Sequence, residues 1–80
     1  MADLTIYGRP GCQACALTIR KAKELGLDFD YVNVDTDIAA SAQLIAAGHR
    51  TLPLVSTQTD EWTGFRPDLL DRLGAARARR

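Results

Sequence analysis

The sequence predicts an α/β domain of order βαβαββα, a four-stranded mixed sheet flanked by three helices, and three observations lead to it. Two short runs of β-forming residues, 4–7 and 29–34, bracket a segment whose apolar residues fall at helical spacing. A second helical segment runs from the caps offered by Asp35-Thr36-Asp37 to Gly48. An apolar run containing a proline, a polar turn and a short aromatic stretch then lead to a helix start at Pro67-Asp68.

Leu4-Thr5-Ile6-Tyr7 alternates apolar and polar residues and reads as a strand, broken by Gly8-Arg9-Pro10-Gly11. From Cys12 onward, Cys15, Ala16, Ile19, Ala22 and Leu25 keep a helical period with charged residues between them, and Gly26 supplies the C′ position. Phe29, Tyr31, Val32 and Val34 suit a pleated surface. The second helix is expected to reach about Ala47, with His49-Arg50-Thr51 as a loop. Leu52-Pro53-Leu54-Val55 opens the third strand, where Pro53 is confined to a strand start or an edge. Residues 56–61 are turn-like, and Trp62-Thr63 makes a very short fourth strand. The last helix is expected from about Pro67 to Leu73, stopping near Gly74. The first two strands should be parallel, joined by a right-handed helical crossover. A hairpin and the last helix complete an α/β sandwich of the thioredoxin type.

Eighty residues make one domain, 1–80, near the lower size limit for independent folding. With 46% hydrophobic and 25% charged residues the chain is composed like a globular protein, and its zero formal net charge argues against a nucleic-acid binder. Residues 75–80 read as a flexible basic tail carrying Arg77, Arg79 and Arg80. No basic stretch followed by a long apolar run precedes residue 4, and no apolar run approaches membrane-spanning length. A cytoplasmic protein without a membrane partner is therefore expected.

Cys12-Gln13-Ala14-Cys15 follows a strand and opens a helix. A disulfide between these cysteines closes so short a loop that it constrains the unfolded chain little, so the pair looks chemical rather than structural. In a cytosolic βαβ setting it reads as a redox motif. Free N–H groups and the positive dipole end at the helix start favour a thiolate at the first cysteine. Arg9, three residues upstream, is a candidate source of further positive charge. Activation by itself is modest. Lowering a thiol pKa from about 8.5 to about 7 raises the thiolate fraction roughly 15-fold, and the accompanying fall in nucleophilicity leaves about a threefold gain. Cys12, at the helix edge, should be exposed and attack. Cys15, one turn in on the stripe with Ile19 and Ala22, should be buried and resolve. A zinc site needs about four ligands, whereas the chain has two cysteines and one histidine, His49. Counting leaves open a cluster shared between two chains. No bound cofactor or metal is expected.

Two further features stand out. The Leu52-Pro53 bond is open to the cis form, which would bring the loop beside Cys12 and expose the Leu52 backbone for strand-like pairing with a peptide, although base rates favour trans. Trp62-Thr63-Gly64-Phe65-Arg66-Pro67-Asp68 places two aromatics around a glycine, either as core filling at a turn or as a partner-docking surface. His49 is most simply a solvated helix end, and Asp60 and Glu61 are turn residues.

Together these residues resemble the NrdH-redoxins, which are glutaredoxin-like in sequence and thioredoxin-like in activity. The likeness covers nearly the whole chain: Cys12-Gln13-Ala14-Cys15 followed by Thr18, the proline loop at Pro53, and residues 62–68, similar to the family's W-S-G-F-R-P-D with Thr63 for serine. The resemblance implies a monomeric electron donor that is reduced by NADPH through thioredoxin reductase and reduces the class Ib ribonucleotide reductase large subunit. It implies Cys12 as nucleophile, Cys15 as resolving cysteine and Pro53 as a cis-proline. Leu52, Gln13, Ala14, Trp62, Thr63, Gly64, Phe65 and Arg66 are then the partner-contacting residues. One departure concerns the pair itself. The family usually has C-V-Q-C or C-M-Q-C, and here glutamine stands at 13 with Ala14 in its usual place, which bears on redox potential and partner choice. The alternatives are a glutathione- or mycothiol-dependent glutaredoxin or mycoredoxin, and an iron–sulfur cluster-binding module. Glutaredoxins usually carry a Gly-Gly pair after the proline loop, and residues 56–61 here contain none.

Overall fold

The β-forming run after Asp3 becomes β1 (Leu4–Gly8), whose alternate residues Leu4, Ile6 and Gly8 are buried. The computed structural model describes residues 2–49 and 51–78. The helical segment is α1 (Gln13–Glu24), with Cys12 as its N-cap. β2 (Phe29–Asn33) and α2 (Ile38–Ala46) follow, the latter capped by Asp37, whose carboxylate accepts from the Ala40 N–H at 3.0 Å. β3 (Leu54–Ser56), β4 (Glu61–Thr63) and α3 (Pro67–Ala78) complete the predicted order. Both α1 and α2 end in the same cap. Gly26 and Gly48 hold the C′ positions, and the next residue donates back to the third-last helical carbonyl, Leu27 to Ala22 and His49 to Leu44, each at 3.0 Å.

The sheet order is β2-β1-β3-β4. β1 pairs in parallel with β2 and antiparallel with β3, and β3 pairs antiparallel with β4. One sheet face carries the larger core of Leu4, Ile6, Ala22, Leu27, Val55 and Leu70, covered by α1 and α3. Each fully buried Leu or Ile there contributes roughly 1.5–3 kcal/mol relative to exposure. The other face carries Val34, Leu44 and Leu54, with Tyr7 and Leu52 against them, under α2. The sheet therefore has the predicted four mixed strands with three helices.

Four local expectations change. β3 starts at Leu54, two residues later than expected, since Pro53 has no N–H to give the ladder. The buried stripe of α1 is Cys15, Thr18 and Ala22, while Ala16 is exposed. A threonine serves there because its hydroxyl donates to the Ala14 carbonyl at 2.8 Å, so no buried polar group is left unpaired. Glu61 belongs to β4 rather than to the turn. Finally, α3 does not stop near Gly74 but continues to Ala78. Gly74 faces Leu25, and the helix is held beyond it by Arg77, which forms an ion pair with Asp3 Oδ2 at 2.8 Å and donates to the Gly26 carbonyl at 2.8 Å. Residues 75–78 are thus helix and not tail, and Arg77 is a clasp. Arg79 and Arg80, the rest of that expectation, and loop residue Arg50 lie outside the described residues.

Candidate active site

β1 ends at Gly8, and the turn at residues 9–11 carries the chain into Cys12. Cys12 and Cys15 form a disulfide with Cα atoms 5.2 Å apart. The Cys15 backbone N–H donates to Cys12 Sγ at 3.2 Å, so the first cysteine caps the helix with its own sulfur. At this position it meets the positive end of the α1 dipole. The sulfurs differ in environment: Cys12, expected to be exposed, is half-buried because its sulfur turns in to cap the helix, whereas Cys15 is 2% exposed and lies over the sheet. What makes room for Cys15 is the missing side chain of Gly8. A Cβ there would lie 2.8 Å from Cys15 Sγ and 3.1 Å from its Cβ, closer than packed atoms allow.

The register of the central strands brings the proline loop to the same place. Tyr7 pairs with Leu54 and Leu54 with Thr63. One residue further along, Gly8, Pro53 and Gly64 therefore lie at the same end of three neighbouring strands. Pro53 is buried and Leu52 half-buried, joined by a cis peptide bond. The Gly64 N–H donates to the Pro53 carbonyl at 2.9 Å, fastening the tryptophan segment to the proline loop. Gly64 has φ +84°, a backbone angle that a side chain would strain, which is why the turn into α3 uses glycine. Trp62 and Phe65 are half-buried and pack against the larger core, so they fill the core and also reach the surface. The Trp62 indole N–H is enclosed with no acceptor among the described residues. That costs about 1–3 kcal/mol, which the burial of an aromatic ring is large enough to offset. Arg66 is exposed and donates to both carboxylate oxygens of Asp68, from Nε at 3.2 Å and from Nη2 at 3.0 Å. That fork holds the Asp68 carboxyl below the usual carboxylate range, and the same hydrogen bonds raise the Arg66 guanidinium.

A cysteine pair at a helix start, next to a cis-proline at the end of the neighbouring strand, is a dithiol–disulfide site, and comparison with known proteins agrees. The family model described as Glutaredoxin matches residues 4–60. The glutaredoxin-like protein NrdH of Escherichia coli K12 is 42% identical over 73 residues, covering 91% of this chain and 90% of that one. This chain belongs to the glutaredoxin family, with the NrdH-redoxins. The solved NrdH-redoxin structure from Escherichia coli superposes with a TM-score of 0.85 at 43% identity, covering 88% of this chain and 92% of that one. The NrdH protein of Salmonella typhimurium is 43% identical over 71 residues, covering 89% and 88% of the two chains. The chain is accordingly a thiol–disulfide oxidoreductase.

Within this NrdH-redoxin, the structure brings together most residues singled out from the sequence. Gln13 and Ala14 form the first turn of α1 between the cysteines, exposed and half-buried in that order. Thr63 ends β4, opposite Leu54. Two polar residues lie elsewhere than expected. Arg9 pairs with Asp35 across 3.5 Å, so its charge is shared with a carboxylate rather than directed at Cys12 alone. His49 is no solvated helix end, since its Nε2 meets Glu61 Oε1 at 2.7 Å and ties the end of α2 to β4. Sequence reasoning missed Gly8, which passed for an ordinary strand breaker. The signal was present: a glycine shortly before a cysteine that must be buried at a helix start. Among the described residues no cluster of three or more His, Cys, Asp or Glu is placed to hold a metal, and no helix is long and apolar enough to cross a membrane.

Proposed function

We propose that this redoxin takes electrons from NADPH through thioredoxin reductase and passes them to a protein disulfide, with the class Ib ribonucleotide reductase large subunit as acceptor. The observation that carries the reading is the tryptophan segment, 62–66, bonded through Gly64 to the cis-proline loop. Residues 56–61, after the proline loop, carry no Gly-Gly pair of the kind with which glutaredoxins grip glutathione. The Escherichia coli relative is itself described as having a thioredoxin-like activity profile.

In the reduced protein, Cys12 is the nucleophile. Its thiolate gains from the Cys15 N–H that already points at its sulfur and from the helix dipole. It attacks one sulfur of the partner disulfide. A bond forms from Cys12 to that sulfur, the partner's S–S bond breaks, and the other partner sulfur leaves as thiolate and takes up a proton. Cys15 then loses its proton and attacks Cys12 Sγ. The Cys12–Cys15 disulfide forms, the second partner sulfur leaves, and two electrons have passed to the partner. Leu52, Pro53, Gln13, Ala14 and residues 62–66 surround the pair and form the surface the partner meets. The two sulfurs hold the electrons, and the reaction calls for no bound cofactor. This role belongs in a reducing cytoplasm, performed by a monomer.

The test offers the oxidised protein NADPH with thioredoxin reductase and, separately, NADPH with glutathione and its reductase. Turnover is expected with the first and little with the second; the reverse pattern would overturn the reading in favour of a glutathione-dependent glutaredoxin. Cys12→Ser is expected to abolish disulfide reduction and Cys15→Ser to trap mixed disulfides on Cys12. Mass spectrometry of the alkylated, reduced wild-type protein finding Cys15 as the faster-reacting thiol would overturn those roles.

A further inference from the structure

The buried cysteine has one wall that neither the motif nor the family likeness assigns. Leu4, Ile6 and Gly8 of β1 are buried toward α1, and their parallel neighbours on β2 are Phe29, Tyr31 and Asn33. Tyr31 pairs with Ile6, yet its ring reaches forward along the strand to Gly8. The point where a Gly8 Cβ would sit lies 2.8 Å from Cys15 Sγ and 3.2 Å from Tyr31 Cε1. Sulfur and ring edge therefore both crowd the Gly8 backbone, at a point with no room for a methyl group. Cys15 is 2% exposed and Tyr31 41% exposed, and β2 is the outermost strand on that side of the sheet. The ring thus has one edge near the sulfur while part of the residue remains in solvent. Its hydroxyl makes no hydrogen bond among the described residues, so the contact belongs to the ring.

We propose that Tyr31 is a positioning residue of the dithiol reaction: its ring closes the β2 side of the Cys15 sulfur, keeps that thiol out of water and leaves Cys12 as the sulfur an incoming disulfide meets. A thiol kept from water resists ionisation, and only the thiolate attacks. Cys15 stays silent until Cys12 carries the partner, when the only disulfide within its reach is the one on Cys12. The inference rests on the assignment of Cys12 as attacker and Cys15 as resolver.

The test is alkylation of the fully reduced protein by limiting iodoacetamide at pH 7, with the two cysteine rates read separately by peptide mass spectrometry. In Tyr31→Ala the Cys15 rate is expected to rise about tenfold while the Cys12 rate stays within about twofold. Tyr31→Phe should match wild type. An unchanged Cys15 rate in Tyr31→Ala overturns the proposal. So does an equal rise at both cysteines, which marks general loosening, or a rise in Tyr31→Phe, which moves the role to the hydroxyl. Should Tyr31→Ala fail to fold, Tyr31→Leu keeps apolar bulk without the ring's reach. It is expected to raise the Cys15 rate several-fold at a near-native thermal midpoint, and an unchanged rate there overturns the proposal equally. The assay involves only this chain and a small reagent, so it reads the same whether or not thioredoxin reductase turns the protein over.

Discussion

Where β1 begins, Arg77 at the end of α3 reaches Asp3 and Asp28 and the Gly26 carbonyl, and Asp3 Oδ2 also accepts from the Asp28 N–H at 2.9 Å. Where β1 ends, no such ionic clasp ties α3 to the strands among the described residues. Gly8, Pro53 and Gly64 meet there through backbone contacts, one hydrogen bond and the close fit of Cys15 over a glycine. The ion pairs near this end, Arg9 with Asp35 and Arg66 with Asp68, are both exposed. The contrast shows how so small a domain divides its tasks. Three elements are tied by charge at the pole where nothing reacts. The reactive pole is held by shape, which leaves its cysteine and aromatic surface uncommitted to charged neighbours and open to another protein.

The strongest challenge to this contrast is to fill the space at the reactive pole. Gly8→Ala puts a Cβ 2.8 Å from Cys15 Sγ, and either the cysteine or the strand must move. A stability loss of about 1–3 kcal/mol is expected, with at least about a tenfold loss of disulfide reduction, since the pair itself is displaced. Denaturant melts and an insulin-reduction assay check both. Native activity in Gly8→Ala would show that shape does not hold this pole.

Arg77→Ala should do the opposite, touching stability alone. Arg77 is only partly exposed and its partner Asp3 less so, but much of the clasp is screened by water. A loss of about 1 kcal/mol is expected, seen as a fall in thermal midpoint of about 4–8 °C, smaller at high salt. Disulfide reduction should stay within about twofold of wild type. A matching loss of activity would show that the two poles are coupled.

The smallest effect is expected at the exposed Arg66–Asp68 fork. Its hydrogen bonds and charge hold Asp68 below the usual carboxylate range. A carboxylate lowered on folding contributes stability above its unfolded value and loses it as pH falls through the folded one. Carbon-detected NMR titration should show Asp68 ionising at unusually low pH, and Arg66→Ala should return it toward the ordinary value with little change in stability. An unmoved Asp68 would mean that the fork does not persist in solution.

The order of elements, the caps and the unequal burial of the two cysteines were legible because they depend on neighbours in the chain. Asp37 caps α2 and Gly26 and Gly48 close their helices through bonds spanning a few residues. The tryptophan segment was legible as a motif, and its attachment through Gly64 to Pro53 was not, because that bond depends on strand register. The end of α3 was misread for the same reason. Gly74 is a helix breaker by propensity, and its override by Leu25 packing and the Arg77 clasp involves partners near β1 and β2, about fifty residues away for Gly26 and Asp28.

Read residue by residue, the chain already specified the class of fold, the dithiol at a helix start and the unequal positions of Cys12 and Cys15, since a helix period places one sulfur at the edge and the other a turn inward. What came from the folded molecule alone is the tight fit of Cys15 over Gly8, the Tyr31 ring near the buried sulfur and the charged clasp at the far pole. Each of these joins residues from different elements, and which side chains meet across a sheet is set by register and packing, which no local pattern encodes.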